Sequence, residues 1–361
     1  MKIKFIIILI FIFGFQFNAV SQVLISGAIR NDAAYSYFDD EHKESRRFDD
    51  ILENKLLLRY KGQGWRFYGD GRLYLYYGDI RETQDEYEAK IMRSFIRYSP
   101  SIGDFTLGKT YINLGNPGIF NPFEIQKQVN LSDLSYDKEG MLAFEFVFPV
   151  GDLSGIKMYT GSYESKSEII ADNATGRHYA GGTSMWTNAL NFDAGIVGNR
   201  LREDSNIAGI YLKGDLLLGL QGAYAFHFND EFDKPSREAN FGLDYSFFDA
   251  HLIINSIFYY NQIGAKKIEE YSLSADGYFF AKYYIFSNFV VIYDEFLNFE
   301  AGCFVNLIDN SAVIYPSVKY LLADGLTLTA SVYFFTGKNN MEFSRDNAGI
   351  LSTLLRVEAV F

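Results

Sequence analysis

The chain has 361 residues, of which 48% are apolar and 17% aromatic, and its net charge is −12 with a pI near 4.9. That acidity argues against a nucleic-acid partner, and the one cysteine, Cys303, leaves no internal disulfide framework. After Ser21 no stretch approaches the ~18 uninterrupted apolar residues of a spanning helix, which excludes a helical membrane protein.

Met1 to Ser21 reads as a secretory signal. Lys2 and Lys4 form a basic start, Phe5 to Phe17 is an apolar core interrupted by Gly14 and Gln16, and Ala19-Val20-Ser21 offers a small-x-small cleavage site before Gln22. The core is shorter than the ~20 residues a spanning helix needs. The expected organisation is a signal peptide over 1–21 and a single domain over 22–361. Losing Lys2 and Lys4 with the leader makes the mature chain more acidic still.

The remainder alternates. Leu142, Phe144, Phe146 and Phe148 share one parity, with Glu145 on the other. Leu216, Leu218, Leu220, Tyr224, Phe226 and Phe228 form a second apolar face, opposed by Gln221 and His227. Tyr271, Leu273, Ala275, Phe279, Ala281, Tyr283 and Ile285 form a third. At the end, Leu351, Thr353, Leu355, Val357, Ala359 and Phe361 oppose Arg356 and Glu358. Period-two patterning means strands. With 27 Tyr, 34 Phe, 31 Gly and only 6 Pro, lipid on one face and water on the other account for both parities at once. The fold class expected is an all-β, transmembrane, antiparallel β-barrel in a bacterial outer membrane. Cys303 shares parity with Phe299, Ala301, Val305 and Leu307, a place for a buried or lipid-facing small side chain rather than a reactive thiol.

Connections come in two lengths. Tight ones are expected at Lys61–Gly64, Pro100–Asp104, Val150–Leu153, Asn188–Ala189, Lys213–Asp215, Asp249–Ala250, Ser287–Asn288 and Ala323–Gly325. Longer polar ones fall between them, at Asn31–Asp50, Gly78–Glu88, Leu114–Glu139, Glu164–Gly176, Asn199–Ser205, Asn229–Ser236, Asn261–Ile268 and Gly337–Ala348. This is the rhythm of periplasmic turns and extracellular loops. One short connection, Asp309-Asn310, must be extracellular. Reading Phe289 to Ile308 as one long strand bulged near Asp294-Glu295, beside a strand ending at Phe286, keeps the count even. The result is about 18 strands, with 16 as the fallback, and both termini periplasmic.

The longest irregular stretch is the third long loop, Leu114–Glu139. Its Pro, Gly and Asn residues fix turns, while Ile119, Phe120 and Phe123 are too apolar to sit in water. Two readings stay open: a compact loop folded over the rim, or a loop tucked into the lumen that narrows the pore. In the second, Lys109, Asn121, Glu124, Lys127 and Asp133 are the candidate constriction residues.

Gly108-Lys109 followed by Phe120-Asn121-Pro122-Phe123-Glu124 resembles a pattern in porin-like and alginate-export-like barrels: glycine-basic, then Trp-Gly, then Asn-Pro with an acidic residue soon after. This chain has Leu114 where those families favour Trp, and Lys109 where Arg is usual. The resemblance implies membership of the broad porin-like group; alginate as a substrate does not follow. A terminal aromatic strand ending in Phe361 likewise resembles the segment that barrel-assembly machinery reads. Partners are therefore expected to be the lipid bilayer, that machinery, and small solutes or ions.

Four histidines, His42, His178, His227 and His251, show no metal-type spacing, and no phosphate loop or nucleophile elbow is present. His251 with Asn255 and Ser256 invites comparison with barrel phospholipases, but Ser256 has the opposite parity. No enzyme activity, cofactor or metal is expected. The function expected is passive diffusion of small polar solutes or ions, with a modest cation preference from the net charge. The alternative is a non-channel surface barrel that binds polysaccharide or serves envelope assembly.

Overall fold

A two-faced strand in lipid needs both edges paired, because an unpaired backbone group in hydrocarbon is costly. The computed structural model describes residues 22–40, 43–82, 85–115, 119–125, 139–165, 176–201, 205–229, 234–271, 281–338, 340–344 and 351–361. In it, 18 strands meet that need by closing on themselves. The first nine are β1 (Gln22–Asp40), β2 (Lys43–Lys61), β3 (Trp65–Gly78), β4 (Tyr87–Tyr98), β5 (Asp104–Thr110), β6 (Met141–Val150), β7 (Ser154–Ser165), β8 (Gly176–Ala189) and β9 (Phe192–Leu201). The rest are β10 (Ser205–Asp215), β11 (Gly219–Asn229), β12 (Ser236–Phe247), β13 (Leu252–Asn261), β14 (Tyr283–Ile292), β15 (Leu297–Asn306), β16 (Ala312–Ala323), β17 (Leu326–Phe335) and β18 (Leu351–Val360). Each pairs antiparallel with the next in sequence. β18 closes the ring on β1, with Val360 opposite Ala28 and Leu351 opposite Tyr37. Gln22 and Phe361 both lie at the short-turn end. Among the described residues the helical turns are two 3-10 pieces, Asp79–Glu82 and Ile268–Glu270, and no helix is long and apolar enough to cross a membrane.

The outward face is apolar and open. Ile25, Leu56, Leu107, Leu142, Ile196, Ile210 and Phe241 are each 53–64% exposed, which in water would be a large unstable patch and in a bilayer is the normal exterior. Leu142 and Phe144 lie on it, while Glu145, next after Phe144, points inward, buried, with Lys157 3.4 Å away. Ser287 and Ile314, the ladder partners of Cys303, put that residue on the outward parity, half-buried.

The count of 18 holds although one hairpin sits elsewhere than expected. Ser287 and Asn288 lie inside β14, opposite Ser256 and Asn255 of β13. The turn is at the acidic pair instead, where Asp294 Oδ1 accepts hydrogen bonds from the Phe296 and Leu297 amides at 2.8 and 2.7 Å. Ser-Asn and Asp-Glu are both breakers on paper; pairing against β13 decides between them. Residues 272–280, assigned to the preceding strand from sequence, lie outside the described residues. Two other turns shift by a few residues, to Leu190-Asn191 and Leu216–Leu218. Leu190 and Asn191 both take positive φ, 55° and 65°, the twist a two-residue hairpin requires. Leucine hides that turn, because a 91% exposed Leu190 is tolerated beside lipid headgroups. The loop expected at Asn31–Asp50 is instead a hairpin, paired out to Asp40 opposite Lys43.

Candidate pore and its constriction

Inward side chains at the short-turn end are solvated. Arg59, Arg66, Asp193, Lys213, Asp244, Glu300 and Lys319 share parity with the lumen and are exposed, so this half of the barrel is a wide vestibule. The other half is narrowed from within.

The third long loop does that narrowing. Leu114, Phe120 and Phe123 are 1%, 2% and 0% exposed. Leu114 and Phe123 pack on the inner faces of β6 to β11, against Ala143, Tyr159, Val197, Ile207 and Ala225. Phe120 reaches further round. Its ring stacks on Tyr259 of β13 at 4.6 Å with 9° between planes, and lies 5.5 Å from Phe304 of β15. Its carbonyl accepts a hydrogen bond from Asn240 Nδ2 of β12. β5 and β13 are eight strands apart in a ring of 18, so the loop runs across nearly half the circumference.

Local chemistry holds that course. Gly108 has φ +131° and a Cβ there would run into the Ser94 backbone, which explains the glycine before Lys109. Gly115, at φ +73°, leaves room for the Phe123 ring. Asn121 is a staple: its Nδ2 donates to Leu114 O, its Oδ1 accepts from the Phe123 amide, and its carbonyl accepts from the Glu124 amide, each at 3.1 Å. Lys157 Nζ donates to Asn113 O at 3.2 Å.

The last long loop adds a second inward clasp. Phe343 meets Phe304 edge-on at 5.5 Å. Glu342 Oε2 accepts from Tyr284 Oη at 2.6 Å and Asn306 Nδ2 at 2.8 Å, and its amide donates to Asp309 Oδ2 at 2.9 Å. Tyr271 joins from the preceding loop, donating to Asp309 Oδ2 at 3.0 Å. Burial, with the carboxylates of Asp309 and Glu342 nearby, raises the Tyr271 phenol above its ordinary pKa.

Facing these loops, the wall of β18 and β1 to β4 is a chain of ion pairs. Arg356 holds Asp32 bidentately at 2.7 and 2.9 Å. Arg30 lies 3.3 Å from Asp32 and 2.6 Å from Glu53. Arg72 bridges Glu53 at 3.0 Å and Asp70 at 3.1 Å, and Arg93 is 3.5 Å from Asp70 while its guanidinium covers Tyr68 and Tyr111 at 4.7 and 5.0 Å. Sequence reasoning singled out none of these except Arg356. Their signal was present as charged residues at one parity in consecutive strands, but only register shows that they touch.

Of the five candidate constriction residues, Asn121 and Glu124 sit together on the lumenal turn of the loop. Lys109 stands apart. Its ladder partners are Ser94 and Leu142, the latter 53% exposed on the lipid side, and its ammonium pairs with Glu139 at the loop's return. Lys127 and Asp133 lie outside the described residues. His251, Asn255 and Ser256 do not converge: His251 Nδ1 donates to Ile292 O at 3.0 Å in a periplasmic turn, Asn255 faces the lumen, and Ser256 Oγ lies 2.9 Å from Ser287 Oγ on the outer face.

An apolar exterior, a polar interior and an inward third loop on a closed 18-stranded meander define a porin-like barrel. The fold is similar to that of the outer-membrane protein OpdK of Pseudomonas aeruginosa, with a TM-score of 0.63 at 9% identity over 94% of this chain and 98% of that one. It is likewise similar to OccK9 (OpdG) of the same organism, at 0.63 and 10% over 94% and 98%, and to OccAB3 of Acinetobacter baumannii, at 0.56 and 12% over 94% and 99%. No protein-family model and no curated protein matches the sequence. The likeness is one of fold.

Proposed function

We propose that the chain is an outer-membrane channel through which small polar solutes or ions diffuse passively. One observation carries this reading: a loop enters the lumen and packs on its wall, yet the space beneath it is lined by solvated charges. A barrel serving only as a surface scaffold has no need of a solvated interior narrowed at one level. Eighteen strands enclose more space than their side chains fill, and inward loops set the narrow passage. Asn121 shapes the turn, Glu124 stands on it, and Lys127 and Asp133 follow it in sequence. Lys109 acts at the base, through Glu139.

The Gly108 to Glu124 segment supports kinship with porin-like and alginate-export-like barrels through its structural roles, a close strand approach and an Asn-Pro staple. Those roles carry no substrate. Phe361, 72% exposed beside the β1–β18 seam with its backbone bonded to Gly27, suits recognition by barrel-assembly machinery.

The test is a planar-bilayer recording of the purified protein with ion substitution. Discrete, ion-dependent conductance steps are expected. A correctly folded barrel that never conducts would hand the case to the surface-scaffold alternative.

A further inference from the structure

One part of the lumen is built differently from the rest. Across β7 to β12 a single inward row reads Gly155, Trp186, Gly195, Tyr211, Ala223 and Asn240, each opposite the next. Large and small residues alternate, and the rings lie down on the small ones. A Cβ added at Gly155 would fall on the Trp186 benzo ring, and one added at Gly195 would fall on the Tyr211 ring. Both rings therefore lean the same way, flat against the wall, each over the glycine of the preceding strand. Neither is fully covered. They spring from β8 and β10, two strand spacings apart, or roughly 10 Å.

This shelf lies on the route through the barrel. Phe123 and Gly115 of the inward loop pack directly above Tyr211, on Gly209 and on the ring itself. The next inward row toward the vestibule reads Asn188, Asp193, Lys213 and Gln221, with Asn188 Nδ2 donating to Asp193 Oδ1 at 2.7 Å. At the end of the aromatic row Asn240 is 7% exposed, and its Oδ1 has no hydrogen-bond partner among the described residues.

We propose that Trp186 and Tyr211 form a saccharide-binding shelf in the channel, taking the apolar faces of one or two pyranose rings. The inference rests on the channel reading and names a substrate class for it. The ring faces carry negative quadrupole charge, and the axial C–H groups of a pyranose face present the complementary positive edge. Hydroxyls at the rim of such a sugar need donors and acceptors side by side, which amide, carboxylate and ammonium in one row supply. An organic cation would also favour the rings, but the adjacent row mixes Lys213 with Asp193 and offers no excess of negative charge.

Composition supplies a reporter. The chain has two tryptophans, and Trp65 sits on the outer face stacked on Tyr98 at 4.3 Å, so Trp65→Phe leaves Trp186 as the single tryptophan emitter, excited at the red edge where tyrosine does not absorb. Titrate this full chain, folded in detergent, with maltose and with sorbitol, an acyclic polyol that has hydroxyls but no ring face. Saturable change of Trp186 emission by maltose and none by sorbitol is expected, with the apparent Kd raised at least tenfold by Tyr211→Ala. Equal response to both sugars, response to neither, or an unchanged Kd in folded Tyr211→Ala overturns the shelf. If Tyr211→Ala does not fold, the maltose and sorbitol titrations decide alone. Bilayer recording separates the two readings: conductance without maltose binding removes the shelf and keeps the channel, while maltose binding without conductance keeps the shelf and removes the channel.

Discussion

Phe120→Ala tests whether aromatic packing holds the inward loop in place. The ring is 2% exposed, stacked at 4.6 Å on Tyr259 and 5.5 Å from Phe304. Truncating a buried Phe costs about 3–5 kcal/mol. Taking the lower figure, because the Asn240 bond to the backbone survives, ~3 kcal/mol lowers the docked-to-undocked ratio of the loop tip by about a hundredfold. The strands are untouched, so the variant should still show the gel shift between unboiled and boiled samples that a closed barrel gives. In single-channel recordings it should show a larger mean conductance and added open-state noise. Proteolysis within the loop should also accelerate. A folded variant with the parent's conductance, noise and cleavage rate would refute the reasoning, since the ring would then be holding nothing.

Removing Asn121 to Lys138 should raise conductance further, and Glu124→Gln should weaken cation selectivity in reversal-potential measurements; an unchanged potential means that Glu124 does not border the passage. Asp70, whose side chain is wholly buried between Arg72 and Arg93, should be intolerant of Asp70→Asn. Leaving a buried guanidinium short of its counter-charge costs roughly 3 kcal/mol or more, read as a lower temperature for the gel-shift transition. Because the Tyr271 phenol is raised when folded, its stabilising share is complete below the unfolded value of ~10 and is lost as pH climbs beyond it. Tyrosinate absorbance of parent minus Tyr271→Phe should therefore show one group titrating above the ordinary phenol value; a difference centred near ~10 contradicts the clasp. Intact mass of the outer-membrane fraction should begin at Gln22, and retention of Met1 would end the signal-peptide reading.

Much of the architecture is written in the sequence because period two is a local property. Phe144 beside Glu145, or Arg356 beside Val357, already says which side meets lipid, and the alternation of short and long connections counts the strands. Loop composition also announced that Phe120 and Phe123 needed cover. What local pattern does not carry is register and reach. Whether Ser287-Asn288 or Asp294-Glu295 turns the chain depends on what lies across from it in β13. Lys109 shows its lipid-side parity with Phe105 and Leu107 already in the sequence, but its pairing with Glu139 at the rim appears only in the fold. The arginine chain from Arg356 to Arg93, and the rings of Trp186 and Tyr211 lying over glycines of other strands, are made of contacts between residues that are neighbours only after 18 strands have closed. Backbone hydrogen bonding in a ring sets those distances, and no single strand contains them.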